Sequence, residues 1–480
     1  MDQAETAKID PSDLEQDVRD VSNWKGLETS EDETNGEETE KSILSLSEAA
    51  KKIDPSPLAS FLKEVLDEDW YQPAKQMIKL IHYYGIQLSL VPSFQWVKMF
   101  EEYPLSKLIH VPLSLIPMPV YEKSIDFINT LPFHILPAAV LWASDLILTE
   151  WPGVVKIEQL NSDESKVAAF VVLAMVLRTK PDALTDVLPN LRETPTYQGH
   201  DKLPVIIWMI AQASQGDLSA GLYSWVRNLL PLVSNNKCYS SQSIHLILQS
   251  VEMILSSNPK ARVLLLLNKN VRNGEVLIPP PSFETLVRLT FPPPSARVEG
   301  ATERFEAIYP LLKEVALAPG SCALQHNIFT FSLKLAGGQG NPALANEATA
   351  IAISVLTQNV DCFTQWEILY KENLEASVLL LKKLVDEWKD HCLKLSPCSD
   401  DARTVKHAMY SFRMENEKAI TEGVVNLSLY KEADKSCKLI LRRLLSRGSG
   451  GLGIGSLTAM FIAAAGGIVG AALTLYISCK

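Results

Sequence analysis

The feature that most constrains this chain is its C-terminal segment, which carries no charged residue between Arg447 and Lys480. The segment ends GLGIGSLTAMFIAAAGGIVGAALTLYISCK and is mostly apolar. A helix needs about 20 such residues to cross a bilayer, whereas a core helix of a soluble protein shows a regular polar stripe. The sequence therefore predicts a transmembrane anchor over residues 452–479. The residues predicted to lie in lipid include Leu452, Phe461, Gly466, Gly470 and Leu475.

The charges on either side of this segment predict its orientation. Lys438, Arg442, Arg443 and Arg447 precede it and only Lys480 follows it, and cationic flanks favour the cytosolic side of a membrane. The opening residues MDQAETAKID lack the basic and apolar regions of a signal peptide. We therefore expect a tail-anchored protein whose body faces the cytosol.

Two features near the anchor each allow two interpretations. Gly466 and Gly470 form a G-x-x-x-G pair, which either packs two anchors into a homodimer or only moderates the hydrophobicity of the helix. Cys437 lies on a basic amphipathic stretch, YKEADKSCKLILRRLL. It is a candidate palmitoylation site if the neighbouring cations contact anionic headgroups. The other interpretation is an ordinary solvated helix face.

Charge and cysteine content exclude several classes of protein. The net charge of −11 is concentrated in residues 1–42, which include SEDETNGEETEK and are predicted to be a disordered acidic arm. The body is close to neutral and has no basic stripe with interleaved aromatics, which argues against a nucleic-acid partner. The 7 cysteines follow no disulfide spacing, as expected in a reducing compartment.

Residues 43–447 are predicted to form an all-α body, because apolar residues recur three and four apart. Short helices with Pro-marked turns suggest an α-solenoid or an irregular helical array, with a subdomain break near 279–300. One predicted helix, in ATERFEAIYPLLKEVALAPG, has an apolar face of Phe305, Ile308, Leu312 and Val315. Another begins with Asn341 as its N-cap and Pro342 at its first position.

Two further segments bear on the architecture. The segment QWEILYKENLEASVLLLKKLVDEWKDHCLKL predicts one long helix with a heptad seam, which suits a helix bundle better than a coiled coil. The seam residues are Leu374, Val378, Leu381, Val385, Trp388, Cys392 and Leu395. The segment FHILPAAVLWASDLILTEW is apolar, but it contains Pro137 and Asp145. A central Asp costs about 2.5–3.5 kcal/mol in a bilayer, so we expect a buried or membrane-surface helix.

The sequence offers no recognisable catalytic motif. It has no G-x-x-x-x-G-K-[ST], H-E-x-x-H or G-x-S-x-G pattern. The nearest approach to a metal site is HCLKLSPC, whose spacing does not match the paired cysteines of a zinc site. We therefore expect no catalytic residues, no metal and no cofactor.

Long blocks of this sequence resemble the transmembrane protein 214 family, particularly its plant branch. The blocks include LSEAAKKIDPSPLASFL, FQWVKMFEEYPLSKLIHVPLSLIPMPVY and RFEAIYPLLKEVALAPGS. The resemblance covers about Leu46 to Gly448 and implies an endoplasmic-reticulum membrane protein with a large cytosolic helical region. Animal members of the family are linked to cell death under endoplasmic-reticulum stress, by holding a procaspase at that membrane. No catalytic residues of the family are known that could be transferred to this chain.

These observations lead to one main hypothesis and two alternatives. The main hypothesis is a non-enzymatic scaffold on the endoplasmic reticulum that recruits a cytosolic protein partner. The first alternative is a trafficking tether between the endoplasmic reticulum and the Golgi, a role that a helical array also suits. The second is a membrane-bound enzyme with a site unlike the known motifs.

Overall fold

The computed structural model describes residues 45–68, 72–91, 104–148, 166–234, 240–267, 275–318, 320–338, 340–388 and 400–446. Every regular element in these ranges is a helix, as the apolar spacing predicted. The helices form two compact units that divide between Ile278 and Pro279. The predicted arm and the predicted anchor lie outside the described residues, and the solenoid arrangement stays a prediction.

Unit 1 contains thirteen α-helices among its described residues, several of them short. They are α1 (Leu46–Lys51), α2 (Pro55–Glu68), α3 (Pro73–Gln87), α4 (Leu105–Leu108), α5 (Met118–Thr130), α6 (Leu136–Leu148), α7 (Lys166–Thr179), α8 (Asp182–Glu193), α9 (Leu203–Gly216), α10 (Leu218–Ser224), α11 (Leu230–Ser234), α12 (Ser241–Ser256) and α13 (Ala261–Leu267). A π-helical turn, Trp225–Leu229, joins α10 to α11.

The centre of unit 1 is α7, which is buried on all sides. Every residue from Val167 to Leu177 is buried, because α3, α5, α6 and α9 all pack against this helix. A helix that is apolar around its whole circumference has to be enclosed in this way. The sequence of α7, KVAAFVVLAMVLRT, supplies that circumference.

A buried polar network ties the segment after α4 to α7 and α9. The carbonyl of Ile109 accepts hydrogen bonds from Arg178 Nη2 at 2.5 Å and from Gln212 Nε2 at 2.9 Å. Gln212 Oε1 accepts a third bond from Arg178 Nε at 2.8 Å. Trp208 Nε1 donates to the Val111 carbonyl at 3.1 Å. Burial lowers the pKa of the Arg178 guanidinium, so these acceptors stabilise a cation that has lost much of its hydration.

Unit 2 contains eight α-helices among its described residues. They are α14 (Pro280–Thr290), α15 (Ala301–Ala316), α16 (Cys322–Ala336), α17 (Pro342–Gln358), α18 (Cys362–Leu369), α19 (Leu374–Asp386), α20 (Asp400–Glu422) and α21 (Leu427–Ser446). The pairs α14–α15, α16–α17 and α20–α21 pack as neighbours, and α21 also packs along α19.

Two of the predicted helices are confirmed with their predicted faces and caps. Helix α15 buries Phe305, Ile308, Leu312 and Val315 on one side. Helix α17 begins at Pro342, and Asn341 Oδ1 accepts a hydrogen bond from the backbone N–H of Leu344 at 3.3 Å.

The prediction of one long helix through the heptad seam is wrong. Helix α18 ends at Leu369, and α19 begins at Leu374 after a turn and ends at Asp386. The side-chain amide of Asn373 donates to the Leu369 carbonyl at 3.0 Å. The backbone carbonyl of Asn373 accepts from the backbone N–H of Ser377 at 2.8 Å. The first part of the seam, Leu374, Val378 and Leu381, is buried. It packs inside unit 2 against α16, α17 and α21, as a bundle helix would, while Cys392 and Leu395 lie outside the described residues.

The apolar segment around Pro137 forms α6, which packs in unit 1 against α7 and α8. Its Asp145 Oδ1 accepts a hydrogen bond from Tyr197 Oη at 2.6 Å. Among the described residues no single helix is long and apolar enough to cross a bilayer. Helix α5 and the segment Phe133–Leu148 together meet that test by length and composition alone, but the pair is bent by 105°.

The polar network predicts a specific loss of stability. Gln212→Met should cost about 2 kcal/mol or more, because it leaves Arg178 Nε without its acceptor inside the protein. For a unit of this size that free energy lowers the thermal midpoint by about 4–8 °C. Differential scanning fluorimetry of the full chain in detergent measures the shift. The matched control is Gln215→Met, an exposed position on the same helix, and an equal shift in both variants would contradict the prediction.

Candidate interaction surface

Each unit has a small cavity. The cavity in unit 1 is lined by Ile78, Ile81, His82, Gly85, Trp142, Leu146 and Lys166. The cavity in unit 2 is lined by Leu356, Thr357, Phe363, Leu384, Trp388, Val405 and Ile440. Neither lining includes a carboxylate or a cysteine, so neither can hold a carboxylate pair or a Cys–His pair. Across the part of the chain that the structure describes, no three His, Cys, Asp or Glu residues are grouped to hold a metal ion.

An aromatic cluster fixes α18 against α20. The ring of Tyr370 stacks on Phe412 with centroids 4.2 Å apart, and Trp366 packs against Phe412 at 5.1 Å. Tyr370 Oη donates to Asn416 Oδ1 at 2.8 Å, and Trp366 Nε1 donates to Ser377 Oγ at 2.9 Å. Burial raises the pKa of the Tyr370 hydroxyl. These directional contacts set the rotation of both helices, and therefore which residues point to solvent.

Three large apolar side chains on the outer side of these helices are exposed. Ile368 of α18 is 72% exposed, and Met414 and Tyr410 of α20 are 73% and 47% exposed. Tyr410 and Met414 are four residues apart, so they share one face of α20. Exposed apolar side chains on adjacent helices, rimmed by polar groups, are typical of protein–protein contact sites.

Two polar contacts join α18, or the turn that follows it, to α20. His407 Nε2 lies 3.8 Å from Glu367 Oε2, and Lys371 Nζ lies 2.6 Å from Glu415 Oε2. Both pairs are solvent-accessible on at least one side and add little stability. Ile368 lies between Glu367 and Lys371 in the chain. We call Ile368, Tyr410 and Met414, with these two pairs, the α18–α20 face.

Sequence reasoning missed the α18–α20 face, although α20 carries a signal for it. Its sequence, DDARTVKHAMYSFRMENEKAITE, is rich in charge and buries an apolar stripe that includes Val405, Met409 and Phe412. Tyr410 and Met414 fall outside that stripe, where a solvated helix would carry polar residues. Two exposed apolar residues on one helix are not unusual by themselves. The sequence also does not show that α20 packs against α18, the helix that carries Ile368.

The candidate palmitoylation site lies in the interior of unit 2. The Cys437 side chain is fully buried on the inner side of α21. Burial, together with nearby Asp434, raises the pKa of the Cys437 thiol to about 12. A thiol in that position is protonated at neutral pH and out of reach of an acyl donor, so we make no proposal of acylation there.

The cations that the sequence places before the anchor have different surroundings. Lys438 Nζ pairs with Asp434 Oδ2 at 2.5 Å but remains exposed on α21, as does Arg442. Arg443 turns inward, donates to the Val385 carbonyl and lies over the Trp388 ring at 5.8 Å. Arg443 is therefore a packing residue of unit 2, and Arg447 lies outside the described residues.

Comparison with known proteins identifies the family. A family model described as "TMEM214, C-terminal, caspase 4 activator" matches residues 157–470, which is more than half of the chain. The chain therefore belongs to the transmembrane protein 214 family, as its sequence blocks suggested.

Curated relatives agree with this assignment at low identity. The chain is 23% identical over 282 residues to transmembrane protein 214-B of Xenopus laevis, covering 58% of this chain and 38% of the frog protein. It is also 23% identical to human transmembrane protein 214 over 282 residues, covering 57% of this chain and 37% of that protein. The match thus spans little more than a third of each relative. No solved structure matches the chain.

The surroundings of the cysteines predict an order of reactivity. At pH 8 the thiol of Cys437 and that of Cys362, whose pKa burial also raises to about 12, should react with N-ethylmaleimide far more slowly than exposed Cys322. The reason is that the thiolate is the reacting form, and a raised pKa keeps it scarce until the pH approaches that value. Peptide mass spectrometry of the labelled full chain measures the order, with a urea-unfolded sample as control. Labelling of Cys437 at the rate of Cys322 in the folded protein would show that α21 is not packed as described.

Proposed function

We propose that this member of the transmembrane protein 214 family is a non-enzymatic scaffold that holds a cytosolic protein partner at the endoplasmic-reticulum membrane. The α18–α20 face is the recruiting surface. The uncharged segment 452–479 is the anchor, with the body in the cytosol. The description of the matching family model, a caspase 4 activator, supports a partner from the cell-death machinery.

The exposed apolar set of the α18–α20 face carries this proposal. Ile368 and Met414 are each more than two thirds exposed, at 72% and 73%. Burying two such side chains and a Tyr against a partner releases ordered water and supplies the kind of anchor residues on which interfaces depend. The flanking pairs, His407–Glu367 and Lys371–Glu415, offer both charge signs at the rim, where they select a partner more than they add affinity.

Membrane attachment provides a way for a protein without a catalytic site to activate the partner that it binds. A binding surface that is confined to a membrane raises the local concentration of whatever it binds, and two bound copies then meet more often than they would in solution. The relatives are named transmembrane proteins, and the charge asymmetry around Lys438 and Arg442 favours the cytosol for the body. The scaffold therefore needs only an exposed surface and an anchor.

Partner recruitment should depend on Met414. Met414→Glu on the full chain, tagged at its N-terminus with a proximity-labelling enzyme, should lower the biotinylation of the recruited partner by about tenfold or more. The reason is that a buried, unpaired carboxylate at an interface costs more than about 1.4 kcal/mol. Quantitative mass spectrometry of labelled proteins from intact cells is the measurement.

The matched control is Val298→Glu, since Val298 is an exposed apolar residue of unit 2 outside this face. A chain truncated after Arg447 should also lose the labelling at the membrane. Unchanged labelling by Met414→Glu would remove the α18–α20 face from the proposal. A labelled set dominated by vesicle-coat and Golgi proteins would favour a trafficking tether instead.

A further inference from the structure

We propose that the outer side of α21 is a lipid-headgroup surface, which lays unit 2 on an anionic membrane leaflet. The proposal rests on the membrane attachment in the proposed function, and it adds which helix touches the bilayer. It concerns four cations that we call the α21 stripe, namely Lys431, Lys435, Lys438 and Arg442. All four are exposed.

The α21 stripe follows the helical repeat. Its members are four, three and four residues apart, so at about 100° per residue they fall within an arc of about 60°. With a rise of about 1.5 Å per residue they extend over about 16 Å of helix. Leu445, which is 54% exposed, continues the same side one turn further. A cluster of four or more cations next to a membrane anchor is typical of a surface that binds anionic lipid headgroups.

The acidic residues of α21 are engaged elsewhere. Glu432 Oε2 pairs with Lys382 Nζ of α19 at 2.8 Å. Asp434 is buried and accepts a hydrogen bond from Arg413 Nε of α20 at 3.0 Å. Asp434 also holds Lys438, but its carboxylate is shared with Arg413, so the side of the helix that faces solvent stays cationic. Such a face is complementary to the phosphate and carboxylate groups of an anionic leaflet.

The position of the stripe in the chain favours lipid over an acidic protein. Only nine residues separate Arg442 from Leu452, where the uncharged segment predicted as the anchor begins. A chain of that length spans at most about 35 Å when fully extended. The stripe is therefore tethered close to the bilayer surface, where anionic headgroups are present at high local density.

The stripe and the α18–α20 face share no residue. The stripe lies on α21, whereas Ile368, Tyr410 and Met414 lie on α18 and α20. Separate substitutions can therefore change each surface. Failure of one surface does not imply failure of the other.

Lysine acetylation in lipid nanodiscs tests the proposal without a substitution. The full chain is placed in nanodiscs of phosphatidylcholine, with or without phosphatidylserine, and briefly treated with an acetylating ester, and each lysine is followed by mass spectrometry. We expect Lys431, Lys435 and Lys438 to react about fivefold more slowly with phosphatidylserine present, the factor that corresponds to about 1 kcal/mol per cation. The protection should vanish at about 1 M salt, where the Debye length is about 3 Å. Lys418, which is exposed on α20, should not change.

A variant separates lipid contact from other causes of protection. K435Q/R442Q should remove most of the protection at Lys431 and Lys438, while K418Q should leave it intact. Equal acetylation rates in both nanodiscs would overturn the proposal. The same acetylation can be repeated in native membranes. Protection that appears there, but not in phosphatidylserine nanodiscs that hold this chain without other cellular proteins, would assign the stripe to an acidic protein and would also overturn the proposal. Both outcomes leave partner labelling through Met414 unaffected, so they are distinguishable from failure of the scaffold.

Discussion

The stack of Tyr370 on Phe412 is the contact on which the proposed recruiting surface of unit 2 depends. It closes the turn after α18 against the middle of α20, and the hydrogen bond from Tyr370 Oη to Asn416 Oδ1 gives the contact a direction. A purely apolar contact would allow α18 to rotate or slide along α20. The aromatic stack with its polar tip restricts that movement, and in the resulting arrangement Ile368 and Met414 are both exposed. The orientation of this surface therefore depends on the buried contacts of Tyr370 with Phe412 and Asn416.

The same core also sets the orientation of the α21 stripe. Cys437 is buried on the inner side of α21 next to the Tyr370 and Phe412 cluster, and it shares that side with Ala433, Ile440 and Leu444. Once those residues face inward, the helical repeat leaves Lys431, Lys435 and Lys438 facing outward. The proposed recruiting face and the proposed cationic face thus both depend on how the core of unit 2 packs.

How much could be read from the sequence depended on whether a signal was local. The start of α17 was predictable because Asn341 and Pro342 are adjacent cap residues, and the face of α15 was predictable from four apolar residues at helical spacing. The break between α18 and α19 was not predictable, since KENL contains neither Gly nor Pro and the apolar spacing continues across it. Only the structure shows that Asn373 lies in the turn between the two helices and that its side chain donates to the Leu369 carbonyl. The α18–α20 face was hidden for a related reason: Ile368 and Met414 lie on different helices, and the contact that joins those helices, Tyr370 with Phe412, is tertiary.

The central claim, that the chain acts by presenting the α18–α20 face to a cytosolic partner at a membrane, can be tested by photo-cross-linking in intact cells. A photoreactive amino acid replaces Met414 in the full chain, Val298 in a matched chain, and Met414 in a chain truncated after Arg447. The predicted result is a discrete cross-linked cytosolic protein from position 414 of the full chain alone. Cross-linking that is equal from positions 414 and 298, or absent from 414, would contradict the claim.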